Sequence, residues 1–112
     1  MAAVDDIDIA GADSMNQVAE TVSALLSVPV SCLHDGRPYL QVDDRTRVLL
    51  YPHSDYPGQW IVEVYHAGDV ATRQRLARRI YHHLADHTNW DLTLNSDDDP
   101  GYVVASRTKT HT

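Results

Sequence analysis

Phenylalanine is absent from this chain, lysine and cysteine occur once each, and glutamate occurs twice. The single cysteine, Cys32, excludes an internal disulfide; this fits a reducing compartment, and the expected location is cytoplasmic. No apolar run approaches the roughly 18 residues of a membrane-spanning helix, so no membrane partner is expected. The opening stretch MAAVDDIDIAGAD lacks a basic region and a long apolar segment, and does not read as a secretory leader. Basic residues are also scarce: 9 Lys and Arg stand against 16 Asp and Glu, for a net charge of −7. Such a chain repels nucleic-acid phosphate on average, so no nucleic-acid partner is expected. The GxSxG, HExxH, GxGxxG and P-loop patterns are missing as well.

What remains is room for one domain with one core in 112 residues. The acids are 14 Asp against 2 Glu and the bases 8 Arg against 1 Lys, a bias that GC-rich codon usage produces without selection for guanidinium chemistry. Residues 1–13 carry four acids, no base and no apolar period; they read as a flexible acidic arm. Residues 14–107 read as a single α+β domain, and residues 108–112 as a flexible tail.

Ser14 and Gln17 form a capping-box pattern, and Met15, Val18, Val22, Leu25 and Leu26 then recur at helical spacing until Pro29. Extended runs follow at 30–34, 39–43, 46–51 and 59–66, the first ending at Asp35-Gly36, a two-residue hairpin signal. Asp69 is an N-cap for a second helix whose stripe is Leu76, Ala77, Ile80 and Leu84, ending near His87 to Asn89. Strands at 90–94 and 102–107 close the chain. The expected architecture is a single antiparallel sheet of about five to six strands with two helices mainly on one face, in the order α-β-β-β-β-α-β-β; one of the first two strands is nominal.

The segment RRIYHHLADH concentrates three histidines. Helical phase puts His87 on the core face, His83 on its flank and His82 toward solvent. His83 and His87, at i and i+4, are spaced to share a metal, but a third ligand from His34, His53 or His66 has no support in the sequence. Imidazoles near a helix C-terminus suit the local dipole, so no metal site and no cofactor is expected. Cys32 reads as a small core residue rather than a thiol nucleophile. Arg75, Arg78, Arg79 and His82 form one outward sector, a secondary charged surface that is most simply a solvated helix face. Asp97, Asp98 and Asp99 lack the spacing of a calcium loop and suit a plain hairpin turn.

The strands carry the sharper signal. If Leu40, Val42, Val48, Leu50, Trp60, Val62 and Val64 face the helices, alternation places Tyr39, Gln41, Leu49, Tyr51, Ile61, Glu63 and Tyr65 on the opposite face. A free face normally reads as Thr, Lys, Glu and Arg. Tyr39, Leu49, Tyr51, Ile61 and Tyr65 are instead what interfaces use, so they are the candidate partner-binding residues.

The element order, size and acidity are similar to those of small acidic secretion chaperones and related sensory modules, and are equally compatible with small acidic inhibitors such as toxin-immunity proteins. The expectation is a non-enzymatic protein-binding module of chaperone, adaptor or regulatory type, self-associating as a homodimer through the tyrosine-rich face. One alternative is an inhibitor presenting its acidic arm and its Asp-rich loop, Asp97 to Asp99, to a basic enzyme surface. The other is a metal-dependent enzyme using His83 and His87.

Overall fold

In a computed structural model, which describes residues 4–96 and 103–107, the period-two segments assemble into one antiparallel sheet. The elements are β1 (Val4–Ala10), α1 (Met15–Leu26), β2 (Ser31–Cys32), β3 (Pro38–Asp43), β4 (Thr46–Pro52), β5 (Gln59–His66), α2 (Val70–His87), β6 (Asp91–Ser96) and β7 (Val103–Arg107). The strand order is β2-β3-β4-β5-β1-β6-β7, and each neighbouring pair is antiparallel. The α+β class, with two helices and a single antiparallel sheet, is the expected one; the sheet has seven strands rather than five or six.

The additional strand corrects the reading of the acidic N-terminal segment. Residues 4–10 are not an arm: they form β1, paired with β5 on one side and β6 on the other. Ile7 and Ile9 are fully buried and alternate with Asp6 and Asp8, which point to the opposite face. Asp5 lies on the core side with the isoleucines and is 2 % exposed. Its Oδ1 accepts from Arg73 Nε at 3.1 Å and from Ser96 Oγ at 2.7 Å. The ion pair and the hydrogen bond let a carboxylate occupy the core side of a central strand. Residues 1–3, the Asp97–Asp99 turn and the 108–112 tail lie outside the described residues.

Local chemistry sets the element ends. The Ser14 hydroxyl accepts from the Gln17 N–H at 3.1 Å, and Gln17 reaches back to the Asp13 N–H at 2.7 Å, one residue earlier than a standard capping box. Asp69 caps α2 by accepting from the Thr72 N–H at 3.0 Å. The Asp35-Gly36 link differs from a two-residue hairpin: Gly36 alone takes positive φ, at 87°, closing a four-residue turn in which the Leu33 carbonyl accepts from the Gly36 N–H at 2.9 Å. The turn uses residues expected in the strand, so β2 shrinks to Ser31–Cys32 and is the nominal strand. Cys32 is exposed, not the core residue expected, because this short edge strand lies beyond the helix layer's buried set.

Both helices pack on one side of the sheet, α2 over β1, β5 and β6, and α1 over β3 and β4 beside α2. Ile7, Leu40, Leu50, Val62, Ile80 and Leu92 sit at 0–1 % exposure in the core between them. The buried set of α2 is Arg73, Ala77, Ile80, Tyr81 and Leu84. At 100° per residue this shifts the buried stripe roughly 40° from Ile80 toward Tyr81. His87 therefore falls at the edge of the stripe and is exposed, correcting its expected core position. Trp90, 5 % exposed, closes the core at that end instead.

Candidate docking face

With both helices on one side, the opposite face of the sheet has no helix packed on it among the described residues. The strand register arranges that face in rows. One row runs Gln41, Arg47, Tyr65, Val4; the next Tyr39, Leu49, Glu63, Asp6, Asn95; the next Tyr51, Ile61, Asp8, Thr93. Tyr39, Leu49, Tyr51, Ile61 and Tyr65 thus share one face across β3, β4 and β5, each partly exposed. Their strand neighbours Leu40, Leu50, Val62 and Val64 point the other way and are buried. One residue of register separates a core leucine from a surface one, Leu50 from Leu49.

The face changes character across β5. On the β3–β4 flank it is aromatic and aliphatic, with the Arg47 guanidinium 5.5 Å from the Tyr39 ring centroid and donating to Gln41 Oε1 at 3.1 Å. On the β1–β6 flank it is acidic: Glu63 and Asp6 stand directly opposite each other, Asp8 follows two residues along β1, and Asp91 lies opposite Ala10. The Tyr51 hydroxyl donates to Glu63, joining the two flanks. Asn95 Nδ2 donates to Asp6 Oδ1 at 3.2 Å and to Asp8 Oδ2 at 3.3 Å. Tyr51 and Asn95 are neutral donors, so these bonds orient the carboxylates without cancelling their charge.

Burial, then the hydrogen bond to Glu63, then the charges of Glu63, Asp6 and Asp8 push the Tyr51 phenol well above the usual tyrosine range. The phenol stays a neutral donor at physiological pH and does not serve as a base. A shallow depression of about 550 Å³ opens over the same surface, with Gln41, Arg47, Leu49, Glu63 and Tyr65 in its wall.

The other candidate residues lie elsewhere. Arg75, Arg78, Arg79 and His82 are all exposed on α2, on the helix side of the molecule. His82 packs edge-on against Tyr81 at 5.4 Å between centroids. His83 and His87 do meet, with ring centroids 4.4 Å apart and planes 39° apart. No group of three or more His, Cys, Asp or Glu side chains is placed to hold a metal ion among the described residues. The three histidines considered as a third ligand are dispersed: His66 Nδ1 bonds Thr46 Oγ1 at 2.7 Å, His53 packs on Tyr56, and His34 is exposed in the β2–β3 turn.

Asp6 and Asp8 are the face residues that sequence reasoning missed. The signal was present in Ile7-x-Ile9, a short alternation that places both aspartates on the side opposite the isoleucines. No helix among the described residues is long and apolar enough to cross a membrane. Comparison with family models, with curated proteins and with solved structures gave no match.

Proposed function

We propose that this chain is a non-enzymatic protein-binding module whose working surface is the helix-free face of the sheet. One observation carries the reading: Tyr39, Leu49, Tyr51, Ile61 and Tyr65 converge on a face that neither helix covers. An apolar, tyrosine-rich surface held on a rigid sheet gives a partner desolvation area at low entropic cost. A cytoplasmic setting suits the lone exposed thiol of Cys32.

Self-association through this face is the less favoured form of the reading. Two copies laid face to face about an axis across the strands bring their acidic flanks together, and like charges oppose that contact; about an axis along the strands, each acidic flank meets an Arg47 already engaged with Tyr39 and Gln41. The inhibitor alternative changes form, because two of the four acids assigned to an arm, Asp6 and Asp8, stand on β1 and belong to the same face.

The experiment is selection from a displayed peptide library on the full chain, counter-screened on the double variant Leu49→Ser, Ile61→Ser. Both positions are partly exposed, so the variant retains its fold. The expected result is a set of binders that lose affinity for the variant. Binders that hold both proteins equally would overturn the sheet-face assignment.

A further inference from the structure

Resting on the sheet-face reading, we infer that the partner is a basic amphipathic protein segment, with lysine or arginine seated on Glu63, Asp6 and Asp8 and apolar side chains on Leu49 and Ile61. The argument is charge complementarity across a boundary that the register makes sharp. Glu63 is flanked by Leu49 on β4 and Asp6 on β1, in one cross-strand row. Ile61 is flanked by Tyr51 and Asp8 in the next. A binding segment crossing β5 therefore meets apolar side chains on one side and carboxylates on the other, within two strand spacings of about 4.8 Å.

The register sets the carboxylates against one another. Like charges directly opposite on neighbouring strands destabilise a sheet. Asp6 and Glu63 occupy that relation, and Asp8 adds a third charge on the same face. The Tyr51 and Asn95 hydrogen bonds hold these groups in defined positions rather than letting them splay. Ordered carboxylates beside an apolar strip are preorganised for a cation carried on an apolar scaffold. Arg47, on β4 beside β5 and two strands from β1, is engaged with Tyr39 and Gln41, and Arg45 lines the same depression.

A second copy of the chain is a poorer fit: Arg47, the cation beside its apolar strip, is already engaged with Tyr39 and Gln41, and Arg75, Arg78 and Arg79 on α2 present no apolar stripe between the arginines. Repeated use of that contact would also build an open chain of molecules rather than a closed oligomer. An anionic membrane surface carries the same sign of charge as this flank and is repelled by it.

The test uses two designed helical peptides with the same leucine stripe, one bordered by lysines and the other by glutamates. Their affinity for the full chain is measured by fluorescence anisotropy. The lysine peptide is expected to bind at least about tenfold more tightly than its glutamate twin, with affinity falling as salt rises. The variant Asp8→Asn, Glu63→Gln is expected to lose about tenfold for the lysine peptide. Its charge-matched control, Glu20→Gln with Asp86→Asn on the helix side, should stay within about twofold.

Equal losses in the two variants mean attraction to net charge alone and overturn the inference. Equal binding of both peptides, lost in Leu49→Ser, Ile61→Ser, overturns the basic-partner inference and leaves the sheet-face reading standing. Failure of both peptides with a dimeric mass abolished by Leu49→Ser, Ile61→Ser makes a second copy the occupant and overturns the inference. Failure of both with a monomeric mass, unchanged in that variant, removes both readings.

Discussion

At the scale of single residues, the Asp5–Arg73 pair and Tyr51 distinguish two kinds of polar burial. Asp5 and Arg73 are 2 % and 4 % exposed, so removing Asp5 takes from a buried guanidinium the carboxylate it meets at 3.1 Å. Asp5→Ala is expected to lower the unfolding free energy by about 3–5 kcal/mol, and Asp5→Leu with Arg73→Met to recover most of it. Urea denaturation checks both; a loss below about 1 kcal/mol for the single variant would mean the pair is solvated. Neither partner announces itself in sequence. Arg73 stands close in sequence to Arg75, Arg78 and Arg79 with no local feature to set it apart, and the two residues are 68 positions apart. Tyr51 adds a pH dependence whose sign follows from its raised pKa. The folded state retains the phenol proton above pH 10, where the unfolded chain releases it, so stability is full below about pH 10 and falls as pH rises beyond it. Tyr51→Phe is expected to flatten that decline in urea titrations spanning the alkaline range, and an unchanged slope would assign the dependence to other groups.

At the scale of elements, the strands with strong alternation were legible and β1 was not. The expected bounds of β5, residues 59–66, are those observed, and the caps of α1 and α2 fall at Ser14 and Asp69. These signals are local, made of side chains within four residues of the backbone groups they serve. β1 has three acids in seven residues; the Ile7-x-Ile9 alternation sets Asp6 and Asp8 opposite the isoleucines only once the segment is paired as a strand, and nothing local shows that Asp5 is paired within the core. His87 failed for a related reason: helical phase gives an angle, but burial needs something to pack against, and the stripe is centred toward Tyr81. A chain beginning at Gly11 tests the role of β1. An arm could be removed without consequence, whereas removing the strand between β5 and β6 divides the sheet. The truncated chain is expected to lose its cooperative thermal transition by circular dichroism; a retained transition would return residues 1–10 to the status of an arm.

At the scale of the whole molecule, the fold gathers one arginine cluster and one acidic cluster on opposite sides. The net charge is −7, yet Arg75, Arg78 and Arg79 gather on the exposed side of α2 while Glu63, Asp6, Asp8 and Asp91 gather on the far face of the sheet. The apolar half of that face was legible from alternation in β3, β4 and β5. Its acidic half was not, because it depends on β1 being inserted between β5 and β6, a pairing far apart in sequence. The most direct test of the docking face is a titration of the lysine–leucine peptide into the isotope-labelled full chain, followed by backbone amide shifts. The account predicts that the largest shifts fall on β4, β5 and β1, around Leu49, Ile61, Glu63 and Asp8, with little change along α2. Shifts centred on α1 or α2, or spread evenly over the acidic surface, would contradict it.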